Sequence, residues 1–226
     1  MWQKTDKSQA RWLPPLAILL VVMLLALVVS YSPRAITEAA ARESGPIERA
    51  TLLLYLAGAA TLSIFATYKR RGSGYAASFV FLLFGLRELD FNSRFTTQNI
   101  EKCLTLCFFL SPDVPVSEKI IVGTALLILA AILLKLIANY GPGVIKAIRA
   151  GRPYAISMLS GTLLLPVSQV FDECAHFLRR RVVVYDDVVL ACALLGEVLE
   201  LAVPLLFLLA FLQWTNDASA MGKPQA

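Results

Sequence analysis

The sequence predicts an all-α fold, a polytopic membrane protein built as a bundle of six transmembrane helices. The chain is 58% hydrophobic and only 16% charged, with a mean hydropathy of +0.67, whereas about a quarter of the residues in soluble domains are charged. The apolar residues form long blocks, and blocks of roughly 17 to 25 residues are long enough to cross a bilayer. Because a backbone in lipid must satisfy its own hydrogen bonds, and because the alternation of a transmembrane barrel is missing, these blocks are predicted to be helices.

One integral membrane domain, residues 1–226, is predicted, with a disordered tail at 215–226. The first span follows a basic start and has a long apolar core without a clear cleavage site, so we expect an uncleaved anchor. The third has a clean apolar part that stops at Leu86. The fifth and sixth contain Pro166 and Pro204, which interrupt the helical hydrogen-bond ladder. The spans are predicted at about 12–31, 50–68, 74–91, 120–140, 153–171 and 188–214.

Two connecting segments are predicted to form helices of their own at the outer membrane surface. Ala35–Ser44 is rich in strong helix formers and is followed by Gly45 and Pro46, which end helices. Thr96–Leu110 has apolar residues at helical spacing and is interpreted as an interfacial or re-entrant helix.

The charges of the short loops predict the orientation of the chain. The segments Lys69–Ser73 and Gly141–Arg152 carry several Lys and Arg residues and no acidic residue. Because short cytoplasmic loops are enriched in Lys and Arg, both termini are predicted to be cytoplasmic. The basic run Arg179–Arg181, which then lies outside, argues against this orientation.

Ionisable residues inside the apolar blocks indicate the functional site. Glu197 and Glu200 lie within the sixth span and, three residues apart, share a helix face. A charge near the bilayer centre costs at least about 2.5 to 3.5 kcal/mol, so such residues mark a functional site by default. Glu197 and Glu200 are therefore the candidate catalytic residues.

Two other spans are predicted to bring charged groups to the same outer half of the bilayer. The end of the fifth span carries Asp172 and His176, four residues apart on one face. The end of the third span carries Arg87, Glu88 and Asp90. We expect a polar pocket between spans three, five and six that opens to the outer side.

Three kinds of chemistry fit these residues and stay open from the sequence. Glu197 and Glu200 can share a proton and serve in acid–base chemistry or proton coupling. Glu197, Glu200, Asp172 and His176 can ligate a divalent metal ion, since carboxylates with one imidazole suit Zn, Mn or Fe. Arg87 can form a structural salt bridge, or Arg87, Glu88 and Asp90 can bind a substrate such as a polar lipid headgroup.

The same residues exclude several classes of protein. His176 is the only histidine, so a bis-histidine haem and a three-histidine zinc site are impossible. The four cysteines contain no C-x-x-C pair, which disfavours a thiol oxidase. The sequence has no phosphate-binding loop and no G-x-S-x-G motif, so ATP-driven transport and serine-elbow hydrolysis have no support.

The motifs "RELDF" and "GEVLELAVPLLFLLAFLQ" resemble those of an uncharacterised group of bacterial inner-membrane proteins. The resemblance implies a bacterial inner (plasma) membrane location and no named activity. Ceramidase-like membrane hydrolases have seven spans and several zinc-binding histidines, and this chain departs from them on both points.

Three functions follow as hypotheses, all with membrane lipids as partners and none with nucleic acid. The first is an acidic intramembrane pocket that binds a cation or a polar lipid headgroup, as in a metal-dependent enzyme that modifies lipids. The second is a small proton- or cation-coupled carrier, for which a homo-oligomer would supply the missing size. The third is a non-catalytic assembly or scaffold subunit with a membrane protein partner.

Overall fold

The computed structural model describes residues 12–42, 45–69, 72–88, 109–112, 114–181 and 186–221. In these ranges it is all-helical, with seven helices and no strand. In chain order they are α1 (Leu13–Ser30), α2 (Arg34–Ala40), α3 (Pro46–Lys69), α4 (Gly72–Glu88), α5 (Val116–Arg149), α6 (Pro153–Arg181) and α7 (Asp186–Met221). The predicted fold class is therefore confirmed as all-α. The helix predicted at Ala35–Ser44 corresponds in part to α2, Arg34–Ala40, and its position at the outer membrane surface stays a prediction.

Five of the described helices are long and apolar enough to cross a membrane, namely α1, α3, α5, α6 and α7. The predicted third span corresponds to α4, which has 17 residues within the described chain. At 1.5 Å per residue this is about 25 Å, against a hydrocarbon core of roughly 30 Å. The predicted count of six spans is therefore not confirmed. The predicted helix at Thr96–Leu110 lies almost entirely outside the described residues.

Three helices extend well beyond their predicted spans. α6 continues ten residues past the predicted end at 171, to Arg181. α5 continues through Pro142 to Arg149, although a loop was expected from Gly141. Proline is tolerated in such helices because neighbouring groups satisfy the backbone carbonyl it frees. α7 continues to Met221, through the first seven residues of the expected disordered tail. Adding a residue to an existing helix costs far less than starting a new one, so a polar segment can prolong a long helix.

The sequence predicts one domain, and the structure groups the chain into two compact units. The first, called the terminal unit here, comprises Met1–Leu54 and Val144–Ala226, and the second, the middle unit, comprises Tyr55–Gly143. α7 is the central helix of the terminal unit, where it packs against α1, α2 and α6. Its side chains Leu194, Val198 and Ala202 lie in one buried apolar cluster with Val22 and Ala26 of α1.

α6 and α7 form an antiparallel pair with a constant register. Near one end, Ser157 Oγ donates a hydrogen bond of 2.8 Å to Gln213 Oε1. Further along, Gln169 Nε2 donates one of 2.8 Å to Glu200 Oε1. The step from Ser157 to Gln169 is 12 residues on α6, and the step from Gln213 to Glu200 is 13 residues on α7. The two helices therefore remain paired over about 18 Å.

A tight turn between α5 and α6 fixes where this pair begins. Gly151 has φ 64°, a left-handed conformation that glycine adopts without steric cost. The Arg152 N–H donates to the Ala147 carbonyl at 2.9 Å, and the Gly151 N–H donates to the Ile148 carbonyl at 2.9 Å. This is the Schellman pattern of a helix end. Pro153 then occupies the first position of α6, where its missing N–H costs nothing.

An ion cluster joins α2 to the first turn of α7. Arg34 Nε lies 2.8 Å from Glu38 Oε1, and Arg34 Nη2 lies 3.4 Å from Asp186 Oδ2. Arg34 Nη1 lies 4.0 Å from Asp187 Oδ1. The hydrogen bond and the charge of Glu38 raise the pKa of Arg34 above its ordinary value.

The middle unit is organised by close packing of α3 against α4. Ser78 donates a hydrogen bond of 2.6 Å to the Ala59 carbonyl and is 2.7 Å from the Ser63 hydroxyl. Tyr55 stacks on Phe84 with ring centroids 5.5 Å apart. Small residues and serines at this contact let the two backbones approach, which is how helices associate in lipid.

Candidate functional site

Glu200 lies near the middle of a helix that is long and apolar enough to span a membrane. The candidate span of α7 covers Asp186–Asn216 and has a mean hydropathy of 2.2. Glu200 is 14 residues from the start of this span and 16 from its end, so it lies about 21 Å from the first residue. If α7 crosses a membrane, this position lies well inside a hydrocarbon core roughly 30 Å thick.

The neighbouring helix supplies a hydrogen-bond donor at this depth. Gln169 Nε2 on α6 lies 2.8 Å from Glu200 Oε1 on α7. Glu200 is half buried, and Gln169 is exposed on the surface of the terminal unit. The amide of Gln169 therefore holds one carboxyl oxygen of Glu200 in place. Because Gln169 is exposed, the hydrogen bond lies at the surface of the terminal unit.

A second acidic residue lies one turn further along α6, packed directly on the backbone of α7. A Cβ atom added to Gly196 would collide with the carboxylate of Asp172, and its nearest contacts are Asp172 Oδ1 and Cγ. Gly196 is buried, and Asp172 is half buried. Only glycine leaves room for this carboxylate, so Gly196 allows the acidic group to lie between the two helices.

These residues form one feature, which we call the α6–α7 polar cluster: Gln169, Asp172, Glu197 and Glu200. Gln169 and Asp172 are three residues apart and share a face of α6. Glu197 and Glu200 share a face of α7 in the same way, and Glu197 is half buried. The cluster thus has three carboxyl groups within about one turn of each of two paired helices, although the three are not grouped closely enough to hold a metal ion between them.

The chemistry available to the cluster follows from its groups. Carboxyl groups in a low-dielectric environment are stabilised by a proton, by a cation or by a cationic headgroup. The amide of Gln169 donates equally well to a carboxylate and to the carbonyl oxygen of a neutral carboxylic acid. The observed hydrogen bond therefore positions Glu200 in both of its protonation states.

The predicted metal site comprised Glu197, Glu200, Asp172 and His176. Among the residues that the structure describes, no group of three or more His, Cys, Asp or Glu side chains is placed to hold a metal ion. His176 lies on α6, and its side chain is outside the description. The metal site stays a prediction.

The predicted substrate-binding residues lie in the middle unit or beyond the described chain. Arg87 and Glu88 are half buried at the C-terminal end of α4. Asp90 lies outside the described residues. That these three residues join spans five and six around one pocket stays a prediction.

Two residues at this site, Gln169 of the cluster and the neighbouring Gly196, were not identified from the sequence. Gln169 is uncharged and lies in a largely apolar stretch, but its spacing of three residues from Asp172 is the signal that places it on the same face. Gly196 was not recognised because glycine carries no chemistry. The signal is its spacing of four residues from Glu200, which puts a site of close backbone approach beside the glutamate.

The resemblance of "RELDF" and of the α7 sequence to a group of bacterial inner-membrane proteins stays a prediction. No family model, no curated protein and no solved structure matches this chain.

Proposed function

We propose that the α6–α7 polar cluster is an intramembrane acidic site that binds a cation or a polar lipid headgroup. The observation that supports it most directly is the hydrogen bond from Gln169 Nε2 to Glu200 Oε1, 2.8 Å long, near the middle of an apolar span. A polar partner on the neighbouring helix at this depth serves to orient a carboxyl group. An oriented carboxyl group is what a binding site requires.

The energetics of acidic groups in lipid favour this function. Each charged carboxylate near the bilayer centre costs at least about 2.5 to 3.5 kcal/mol, and two on one helix turn also repel each other. A bound cation offsets both costs. Asp172 adds a third carboxyl group next to Gly196, which increases the negative potential of the cluster.

In its enzymatic form, the proposal is a metal-dependent reaction on a membrane lipid. Glu197 and Glu200 are then the acid–base residues and, with Asp172 and His176, the metal ligands. Arg87, Glu88 and Asp90 bind the polar part of the lipid. The protein itself supplies the carboxyl group of Glu200, which Gln169 orients. A lipid would approach from the side of Gln169, because this residue is exposed on the terminal unit.

The metal content of the purified protein tests this form. Elemental mass spectrometry compares the wild type with Glu197→Gln/Glu200→Gln, which removes both charges at nearly constant volume. The matched control is Asp186→Asn/Asp187→Asn, which removes two acidic charges from the exposed first turn of α7. All three proteins are first shown to be monodisperse and equally helical.

We expect stoichiometric divalent metal in the wild type and in the control, and its loss from the Glu197→Gln/Glu200→Gln variant. Equal metal content in all three proteins contradicts the metal site. Absence of metal from the wild type removes the enzymatic form and leaves the proton-coupled form.

The second candidate is a proton- or cation-coupled carrier in which Glu200 takes up and releases a proton. The Gln169 amide favours it, since this donor stabilises the position of Glu200 with and without its charge. Infrared difference spectroscopy of the carboxyl stretch on a pH step measures the protonation. A band that is present in the wild type and absent from Glu200→Gln supports the carrier, and its persistence in the variant contradicts it.

We place the protein in a bacterial inner membrane with both termini cytoplasmic. The short segments at Lys69–Ser73 and around Lys146, Arg149 and Arg152 support this orientation, because they are basic and carry no acidic residue. It also requires α4 to cross the membrane as a sixth span.

A further inference from the structure

An open cavity of about 460 Å³ lies where α2 ends and α3 begins, in the terminal unit. Its volume falls within the roughly 300 to 1,000 Å³ of ligand sites. It shares no residue with the α6–α7 polar cluster. Its walls include Ala39, Arg42, Gly45, Arg49, Ala50 and Leu53.

A tight turn brings two arginines to this cavity. The Gly45 N–H donates to the Arg42 carbonyl at 2.8 Å, and the Arg49 N–H donates to the Gly45 carbonyl at 3.1 Å. A Cβ atom on Gly45 would lie 2.6 Å from the carbonyl oxygens of both Ala39 and Arg42. These oxygens belong to the backbone and cannot move aside cheaply, so the turn requires glycine. It holds Arg42 next to the first turns of α3, which carry Arg49.

The two guanidinium groups are available to a ligand. Arg42 and Arg49 are both exposed. Neither forms an ion pair with any residue that the structure describes, whereas Arg34 at the start of the preceding helix α2 is surrounded by three carboxylates. A guanidinium presents its N–H groups as a fork that matches the oxygens of a phosphate. The N-terminal end of α3 adds partial positive charge to the same place.

The cavity changes from cationic to apolar along α3. Ala50 follows Arg49, and Leu53, one turn further on, is 66% exposed. Pro46–Tyr68 is a candidate membrane span, so this direction leads from the membrane surface into hydrocarbon. A phospholipid has the same order of groups, with a phosphate at the surface and acyl chains below it.

We propose that this cavity binds a phosphate group through Arg42 and Arg49, and that a membrane phospholipid supplies it. Free inorganic phosphate offers the same oxygens to the guanidinium groups and lacks the acyl chains that contact Leu53. Contact with the apolar half of the cavity therefore distinguishes a phospholipid from free inorganic phosphate.

Native mass spectrometry of the whole protein in a neutral detergent tests the proposal. The probes are a phosphatidylglycerol, a diacylglycerol with the same chains and inorganic phosphate, all at constant ionic strength. The wild type is compared with Arg42→Gln/Arg49→Gln. The matched control is Lys146→Gln/Arg149→Gln, which removes two positive charges from exposed positions near the end of α5.

A further variant keeps both charges and fills the cavity. Ala39 lines the cavity and is exposed, so Ala39→Trp adds bulk there without disturbing the buried core. If two positive charges merely attract acidic lipids to the surface, Ala39→Trp binds phosphatidylglycerol like the wild type. If the cavity itself is the site, Ala39→Trp binds it more weakly.

We expect phosphatidylglycerol binding about tenfold weaker in Arg42→Gln/Arg49→Gln, the effect of about 1.4 kcal/mol, and weaker also in Ala39→Trp. Lys146→Gln/Arg149→Gln retains wild-type binding, and diacylglycerol does not bind at the site. Failure of excess inorganic phosphate to displace the lipid identifies the phospholipid as the source, and binding of inorganic phosphate alone identifies the free anion. Equal weakening in both double variants, or wild-type binding in Ala39→Trp, overturns the proposal.

Discussion

Gln169 on α6 and Glu200 on α7 are joined by a hydrogen bond of 2.8 Å, although they are 31 residues apart in the chain. The bond links the two helices near the middle of the α7 span. A second bond, between Ser157 and Gln213, links the same helices nearer the turn at Gly151. The first bond is proposed to orient a functional carboxyl group, whereas the second joins two neutral side chains.

A double-mutant cycle separates these roles. Gln169→Leu and Glu200→Leu, alone and together, are expected to give a coupling energy of about 0.6 kcal/mol, the average for interhelical hydrogen bonds in membranes, and no more than about 1.7 kcal/mol. Equilibrium unfolding in mixed micelles with increasing denaturing detergent measures it. The same cycle with Ser157→Ala and Gln213→Leu provides the control.

The readout that distinguishes the two bonds is cation or proton binding. Gln169→Leu is expected to weaken it, because Glu200 loses the group that orients it. Ser157→Ala is expected to leave it at the wild-type level with a similar loss of stability. Equal binding in these two variants would show that Gln169 has a structural role only.

Gly196→Ala is expected to displace the carboxylate of Asp172, because the new Cβ atom would occupy its place. The displaced carboxylate is the tip of a half-buried side chain that can turn aside, so the cost is expected to be about 0.5 to 1.5 kcal/mol, as for a side chain forced off its rotamer. Combining Gly196→Ala with Asp172→Ala removes the clashing group, so the double variant should lose less stability than the two single costs added together. Thermal unfolding in detergent measures all three variants, and strict additivity contradicts the contact.

The side of the membrane on which the chain ends is decided by α4. If α4 crosses the membrane, there are six spans and both termini lie on the same side. We expect a fluorescent-protein fusion after Ala226 to be fluorescent in the cytoplasm and an alkaline phosphatase fusion at the same place to be inactive. The opposite pattern, with the N-terminus shown to be cytoplasmic, requires five spans. Fusions in the segment after Glu88 give the independent check.

The helices were largely predictable because lipid leaves the chain few alternatives. Apolar blocks long enough to span a bilayer must be helices, and α1, α3, α5, α6 and α7 follow from that rule alone. The ends of helices were less predictable. Gly141 and Pro142 indicate a break in water, but α5 continues through them to Arg149.

The candidate site was predictable only in part. Glu197 and Glu200 are recognisable because a charged residue within an apolar block has a high free-energy cost in a membrane, and such a residue can be identified from a single sequence. The hydrogen-bond partner of Glu200 cannot be identified from the sequence in this way, because it is uncharged. That Gln169 lies opposite it depends on the register of α6 against α7, which is set by the packing of residues such as Gly161 against Phe207. Helical periodicity gives the face of one helix and carries no information on the register of two.

The closeness of α6 and α7 in the chain has a consequence for biosynthesis. α6 ends at Arg181 and α7 begins at Asp186, so the two helices leave the ribosome in immediate succession. At about 5 to 20 residues per second, Glu200 is made roughly 2 to 6 seconds after Gln169. The amide is therefore already present when the glutamate enters the insertion machinery. A hairpin that inserts as one piece can bring Glu200 into lipid together with its partner, whereas an intervening helix would lengthen the interval between the synthesis of the two residues.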